Sequence, residues 1–178
     1  LASLIESADK VANTASVYGA FLKHIKKSAS QKLVLQSADF IENDNSHRVY
    51  KEDSNELIKK IEGDILYLDP PYNQRQYSAN YHLLNTIALY DNFEPKGKTG
   101  LREYNRSKYS QKNEVSKSFE ELIKNANFKY IFLSYNNEGL MSEDEVKNIM
   151  KNTESMTYKK KSIQDLKQIK QKIEIIKQ

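Results

Sequence analysis

The stretch that most constrains this chain is GDILYLDPPY, from Gly63 to Tyr72. A short apolar run of strand character, DILYL, meets an acid, then two prolines, then a tyrosine. Proline has no N–H to give to a sheet ladder, so the strand must stop at Asp69. The residue before a proline is also kept out of the helical region, so the chain leaves the strand as a stiff, extended turn. Any fold of this sequence therefore presents a carboxylate, Asp69, and a ring, Tyr72, at a strand end with little freedom to move.

Two other runs read as strands. QKLVLQ is apolar and β-branched and ends near Gln36, and KYIFLSY precedes NNEG. Helical patterns lie between them. Apolar spacing predicts helix from Leu4 to about Lys27, with Val17, Ala20, Phe21 and Ile25 on one face. A short helix is expected over 55–61, with Ser54 as N-cap and Gly63 just past its end. Further helices are expected over 80–90 and 114–126. Another is expected after Ser142, where Glu145 three residues on completes a capping-box pattern. Strands separated by helices predict an α/β fold with a mostly parallel sheet and helices on its faces. Ligands in such sheets bind beyond the carboxyl ends of the strands. Three predicted strands reach that edge as QSADF, LDPPY and SYNNEG, all polar or acidic.

Composition removes several function classes. At 178 residues the chain suits one domain, and no apolar run approaches the about 20 residues of a membrane span. No basic start followed by an apolar core marks a secretory signal, so a cytoplasmic location is expected. There is no cysteine, and His24, His47 and His82 do not cluster, so metal-free chemistry is expected. The net charge of +4 is uneven: residues 158–178 hold seven lysines against Asp165 and Glu174, leaving the rest near −1. That tail repeats Ile163, Leu166, Ile169, Ile173 and Ile176 at helical spacing and reads as an amphipathic helix facing a core or a partner. Within the body, Lys96, Lys98, Arg102, Arg106, Lys108 and Lys112 face only Glu103, with Tyr104 and Tyr109 interleaved. Such a loop is either an ordinary solvated segment or a surface that tracks phosphates.

The LDPPY turn suggests its own chemistry. A carboxylate beside carbonyls whose own prolines carry no N–H is rich in hydrogen-bond acceptors and poor in donors. Such a site suits a group with two N–H donors, such as the exocyclic amine of a flat base, with Tyr72 offering a ring to stack on it. An adenine amine is a poor nucleophile because its lone pair is delocalised into the ring. Accepting both N–H bonds, from Asp69 and the Pro70 carbonyl, would favour a pyramidal nitrogen able to attack. The alternative reading of the same letters is a proline-stiffened structural turn.

These residues resemble the catalytic motif of S-adenosylmethionine-dependent DNA amino-methyltransferases, and the aspartate form is similar to the Dam-like, N6-adenine-specific group. ANTASVYGAFLKHIKKSA and NQRQYSANYHLLNTIALYD resemble segments flanking that motif in a restriction-modification branch. SADF is similar to the acid–aromatic pair that meets the cofactor's adenosine, and FLSYNNEG to the strand end bordering the target-base pocket. The resemblance covers roughly residues 8–142. It implies a Rossmann-like sheet and methyl transfer from S-adenosylmethionine to N6 of adenine in double-stranded DNA, with the base flipped out of the helix. It implies that Asp69, Pro70, Pro71 and Tyr72 hold the amine and its ring, and that Asp39 and Phe40, with Asp69, meet the cofactor. Arg75, Gln76, Tyr77, Lys98, Arg102, Arg106 and Lys108 would face DNA, where phosphate contacts position the duplex.

The sequence departs from that pattern in two places. Family members carry a glycine-rich F-x-G-x-G loop for the methionine part of the cofactor, whereas Gly19, Gly63, Gly97, Gly100 and Gly139 include no G-x-G pair. The ending reads as helix where the family closes with a strand. The expectation is therefore the carboxyl-terminal half of such an enzyme: a partial catalytic domain over 1–157 with 96–112 as a DNA-contacting insertion, and a lysine-rich helix over 158–178. The sheet would be incomplete at its amino-terminal side. Activity would then belong to a longer protein or need a complementing chain, and the alternative is a non-catalytic module that cannot hold cofactor. Methylation of cytosine N4 is less expected, because that group more often has Ser or Thr in place of Asp69.

Overall fold

The strand that the prolines terminate is β1 (Glu62–Leu68), and it pairs in parallel with β2 (Asn127–Leu133). The computed structural model describes residues 1–15, 17–20, 22–151 and 176–177. Its other elements are α1 (Ala2–Lys10), α2 (Ser54–Leu57), α3 (Tyr77–Asn80), α4 (His82–Leu89), α5 (Val115–Asn125), α6 (Glu143–Lys151) and β3 (Ile176–Lys177). The sheet order is β1-β2-β3, with β3 antiparallel to β2. Mixed helices and a small parallel strand pair make this an α/β chain. The chain forms two compact units, Leu1–His47 with Arg75–Arg106, and Arg48–Gln74 with Ser107–Gln178.

The second unit holds the sheet. Between β1 and β2 the chain must cross over, and α5 supplies the crossover helix that parallel pairing demands. Its buried residues Val115, Ser118, Phe119, Leu122 and Ile123 repeat at three and four, which is one face of a helix. That face joins Leu66 and Leu68 of β1 and Ile131 and Leu133 of β2 in the core. Full burial of side chains such as Phe119 and Ile123 contributes about 1.5–3 kcal/mol each. The register puts Ile65 opposite Tyr130 and Tyr67 opposite Phe132 on the other face. There Ile65 and Tyr67 stay exposed.

Local chemistry explains the element ends. The side chain of Asp53 accepts from the Asn55 N–H at 2.9 Å, so Asp53 rather than the expected Ser54 caps α2. Gly63 lies inside β1, not beyond a helix, and a Cβ there would come within 3.3 Å of the Phe128 ring. The capping box at α6 is formed as expected. The Glu145 N–H donates to Ser142 Oγ at 3.2 Å, and the Ser142 N–H donates to Glu145 Oε2 at 2.7 Å. The Ser142 N–H, and after it the Ser142 hydroxyl, both donating to Oε2, hold the Glu145 carboxyl below its ordinary 4.5.

In the first unit three expectations fail. The helix expected to Lys27 ends at Lys10. Beyond it the chain turns back on itself: the Asn13 amide oxygen accepts from the Lys26 N–H at 2.9 Å and its NH₂ donates to the His24 carbonyl at 3.3 Å. A continuous helix would hold such residues roughly 16–20 Å apart along its axis, so these bonds and the long helix exclude one another. QKLVLQ is not a strand. It is irregular, and Leu33, Val34 and Leu35 are exposed. Farther along, the Gln36 N–H donates to Ser7 Oγ at 3.0 Å and the Ala38 N–H to Ser3 Oγ at 3.1 Å, so α1 hydroxyls take the place of a neighbouring strand. The helix expected over 80–90 is broken into α3 and α4 at Tyr81 and closes at Tyr90 in the left-handed region. The lysine-rich helix expected over 158–178 lies outside the described residues except at Ile176–Lys177. There the chain is strand, because those residues pair with Ile131 and Tyr130.

Two outcomes follow from these contacts. Replacing Glu145 with Ala removes a charged acceptor from the start of α6 and should cost about 1–2 kcal/mol at neutral pH. Because the folded pKa is depressed, that contribution is present above pH 4.5 and lost as pH falls through the lower folded value. Denaturant titrations at several pH values should show the deficit shrinking in acid. Gly139→Ala would place a Cβ 2.3 Å from the Tyr135 ring and 2.8 Å from the Asn136 carbonyl. A loss of about 1–3 kcal/mol is expected in the same assay.

Candidate active site at the carboxyl ends of the strands

The β1–β2 ladder extends one bond past β2, from the Ser134 N–H to the Leu68 carbonyl at 2.8 Å. That bond brings the LDPPY and SYNNEG ends together, as parallel pairing of their strands requires. A second tie follows, from the Leu140 N–H to the Tyr72 carbonyl at 2.8 Å. The turn between them is compact. The Glu138 N–H donates to Asn136 Oδ1, the Gly139 N–H to the Asn136 carbonyl, and the Met141 N–H to Tyr135 Oη. Gly139 lets the Tyr135 ring lie against the backbone, and Lys112 Nζ donates to the Leu140 carbonyl.

At this edge Asp69 is exposed, Pro70 and Pro71 are half-buried, and Tyr72 is 36% exposed. Asp69 and Pro70, with Tyr67 and Leu68, line a cavity of about 190 Å³. Ser54, Tyr109, Phe119 and Leu122 complete its lining. The result is an open carboxylate and a proline at a cavity otherwise bounded mostly by rings and aliphatic chains. Such a place accepts N–H bonds from a flat group and covers its faces.

Tyr109 was expected on a DNA-facing loop. It is instead buried, and its hydroxyl donates to Asn55 Oδ1 at 2.8 Å, with the Ser118 carbonyl at 3.3 Å. Asn55 in turn donates to the Ser118 carbonyl at 2.9 Å and to Glu121 Oε2 at 3.3 Å, and Lys59 pairs with Glu121 at 3.3 Å. The Lys59 ammonium, then the Asn55 amide, hold the Glu121 carboxyl below its ordinary value. Burial pushes the Tyr109 phenol up to about 12, so it remains a neutral donor. Lys108, next to it on a single 3₁₀ turn (Lys108–Ser110), is exposed.

The remaining candidates lie in the first unit. Asp39 is exposed and Phe40 is 76% exposed, in irregular chain. Gln76 immediately precedes α3, and the exposed Tyr77 ring lies 5.8 Å from that of Tyr81. Lys98 and Arg106 are exposed. Arg102 is half-buried and paired within the chain. Its two terminal nitrogens grip the two oxygens of Asp91 at 2.7 and 2.6 Å, and its guanidinium lies 4.1 Å from the centre of the Phe93 ring. This fork holds Asp91 below the usual carboxylate range. Among the described residues no group of His, Asp or Glu has the makings of a metal site, and no helix is long and apolar enough to cross a membrane.

Sequence reasoning missed Ser54, Tyr67, Tyr109, Phe119 and Leu122 as cavity residues. Phe119 and Leu122 read as the apolar stripe of a helix, which is also true of them. Nothing local to Tyr109 separates it from Tyr104; only its buried partner Asn55, 54 positions away, does so.

The sequence profile of the D12 class N6 adenine-specific DNA methyltransferases matches residues 1–149. The chain is 68% identical over 149 residues to the Type II methyltransferase M.NlaIII of Neisseria lactamica, covering 84% of this chain and 45% of that protein. It is 53% identical over 153 residues to the Type II methyltransferase M.FokI of Planomicrobium okeanokoites (85% of this chain, 24% of that protein). It is 42% identical over 153 residues to the modification methylase StsI of Streptococcus sanguinis (85% and 23%). The chain thus spans from about a quarter to just under half the length of these relatives. No solved structure matches it. With its acceptor edge at LDPPY and a family match running through both paired strand ends, the chain belongs to the D12 class N6 adenine-specific DNA methyltransferases.

Proposed function

We propose that this chain is the catalytic portion of a site-specific enzyme that transfers a methyl group from S-adenosylmethionine to the N6 amine of adenine in double-stranded DNA. It would act within a longer protein or with a complementing chain, in the cytoplasm, as part of a restriction-modification pair. The observation that carries this reading is the Asp69–Pro70 edge, an exposed carboxylate and a donor-free residue on the rim of a cavity with ring and aliphatic walls. Family membership and the names of the relatives, Type II methyltransferases and a modification methylase, support it.

In this reading Asp69 and the Pro70 carbonyl accept the two N–H bonds of the amine. That holds the nitrogen pyramidal, with its lone pair directed away from the ring. Pro71 stiffens the turn, and Tyr72, pinned through its carbonyl by the Leu140 N–H, stacks on the extruded base. Positioning of this kind accounts for most of the rate. When bound, S-adenosylmethionine supplies a methyl group on a sulfonium, which leaves readily. In this reading Asp39, Phe40 and Asp69 would each meet the cofactor, as the family resemblance implies. The glycine-rich loop for its methionine end has no counterpart in the sequence. A Rossmann-like sheet completed by further polypeptide is the fold this implies, with residues 1–157 as its partial catalytic domain and 158–178 as an appended segment. Arg75, Gln76, Tyr77, Lys98, Arg106 and Lys108 would meet DNA, while Arg102, neutralised by Asp91, orders the loop that carries its neighbours.

Calorimetry with S-adenosylmethionine on the 178-residue chain should show no binding tighter than roughly millimolar. Micromolar binding would show that this chain completes the cofactor site by itself. In a chimera where the chain replaces the matching segment of a longer relative, N6-methyladenine should form in unmethylated plasmid DNA, read by mass spectrometry of the hydrolysate. Asp69→Ala should lower that rate by at least a thousandfold without loss of folding. Activity within tenfold of the parent would remove Asp69 from the reaction.

A further inference from the structure

We propose that Tyr109 is a specificity-determining residue of the transfer site, and that its ring sets the size of the base that can reach Asp69 and Pro70. This inference rests on the amine-transfer reading above. Adenine and cytosine present the same exocyclic NH₂ to an acceptor pair, so Asp69 and the Pro70 carbonyl read an amine without reading the ring that bears it. Discrimination must come from the shape of the space around them.

That space is about 190 Å³, roughly the share of six liquid water molecules and of the order of a bicyclic base. Tyr109 lines it together with Asp69 and Pro70. Its hydroxyl is spent on Asn55 Oδ1 and the Ser118 carbonyl, so no donor is left to reward a particular base, and the ring acts as a wall. The wall is also fixed. Ser107 Oγ accepts from the Tyr109 N–H at 3.2 Å, and Asn55 is itself held by the Ser118 carbonyl and Glu121. Phe119 and Leu122 line the same cavity from α5, where the core already dictates their size. Tyr109 also packs in the core, but it reaches the cavity from the 3₁₀ turn Lys108–Ser110 and not from α5, so its identity is not tied to the apolar stripe of that helix.

The test uses the same chimera and two duplexes carrying that relative's recognition site, one with adenine and one with cytosine at the target position. The readout is kcat/KM for each. Tyr109→Ala should lower the adenine-to-cytosine ratio at least tenfold, the range over which apolar pockets discriminate by size. Tyr109→Phe, which keeps the ring, should restore the ratio. Ser54→Val narrows the cavity without removing the Tyr109 ring. It should slow adenine more than cytosine, which keeps the test open if Tyr109→Ala fails to fold. Parallel loss on both duplexes in every folded variant would overturn the proposal, because a merely supporting residue lowers the amount of active enzyme and leaves the ratio alone. Loss of adenine methylation in Asp69→Ala with an unchanged ratio in the Tyr109 and Ser54 variants would overturn this inference and leave the transfer reading standing.

Discussion

The parallel pairing of β1 with β2 is the interaction on which the second unit depends. Two strands that run the same way end at the same edge, so Asp69 and Ser134 are delivered side by side by the ladder itself. The pairing also requires a crossover long enough to return the chain to the starting edge. α5 meets that demand and at the same time buries the Leu66, Leu68, Ile131 and Leu133 face. One geometric requirement thus produces the core, the covered face and the convergence of the two polar turns.

The turns are rigid for different reasons. LDPPY is rigid covalently, because two prolines restrict their own φ and the residue before them. SYNNEG is rigid through contacts: an Asx turn at Asn136, a ring packed on Gly139, and a tyrosine oxygen that accepts the Met141 N–H. The Tyr72 carbonyl joins the two. In the methyl-transfer reading proposed above, such an arrangement would leave little order to be acquired on binding.

The basic loop shows how charge in a sequence divides once it folds. Lys98, Arg106 and Lys108 remain exposed, whereas Arg102 meets Asp91 and the Phe93 ring and becomes a brace. Tyr104 and Tyr109 look alike in sequence, yet Tyr109 is core and its hydroxyl bridges α2 to α5. Burial and pairing of this kind depend on partners distant in sequence. A count of cations and aromatics in a loop is therefore a poor guide to which of them face a ligand.

Several features with a local cause were legible, although the cap of α2 shifted by one residue to Asp53 and Gly63 fell inside β1. The strand stop at Asp69, the capping box of Ser142 and Glu145, and the apolar stripe of α5 follow from the residues themselves. They depend on proline geometry, a three-residue hydrogen-bond reach and helical periodicity. The acceptor-rich, donor-poor character of LDPPY follows in the same way. The tertiary structure decided what needs a neighbour. QKLVLQ has strand composition, but among the described residues no strand pairs with it, and it is irregular. The predicted long first helix and the bonds made by Asn13 exclude one another. Ile176–Lys177, with helical spacing behind it, becomes strand because β2 offers an edge. Tyr109 becomes a cavity wall because Asn55 lies within hydrogen-bond reach. Periodicity and covalent geometry act within a few residues, whereas a ladder, a cavity or a buried hydroxyl exists only once segments far apart in the chain have met.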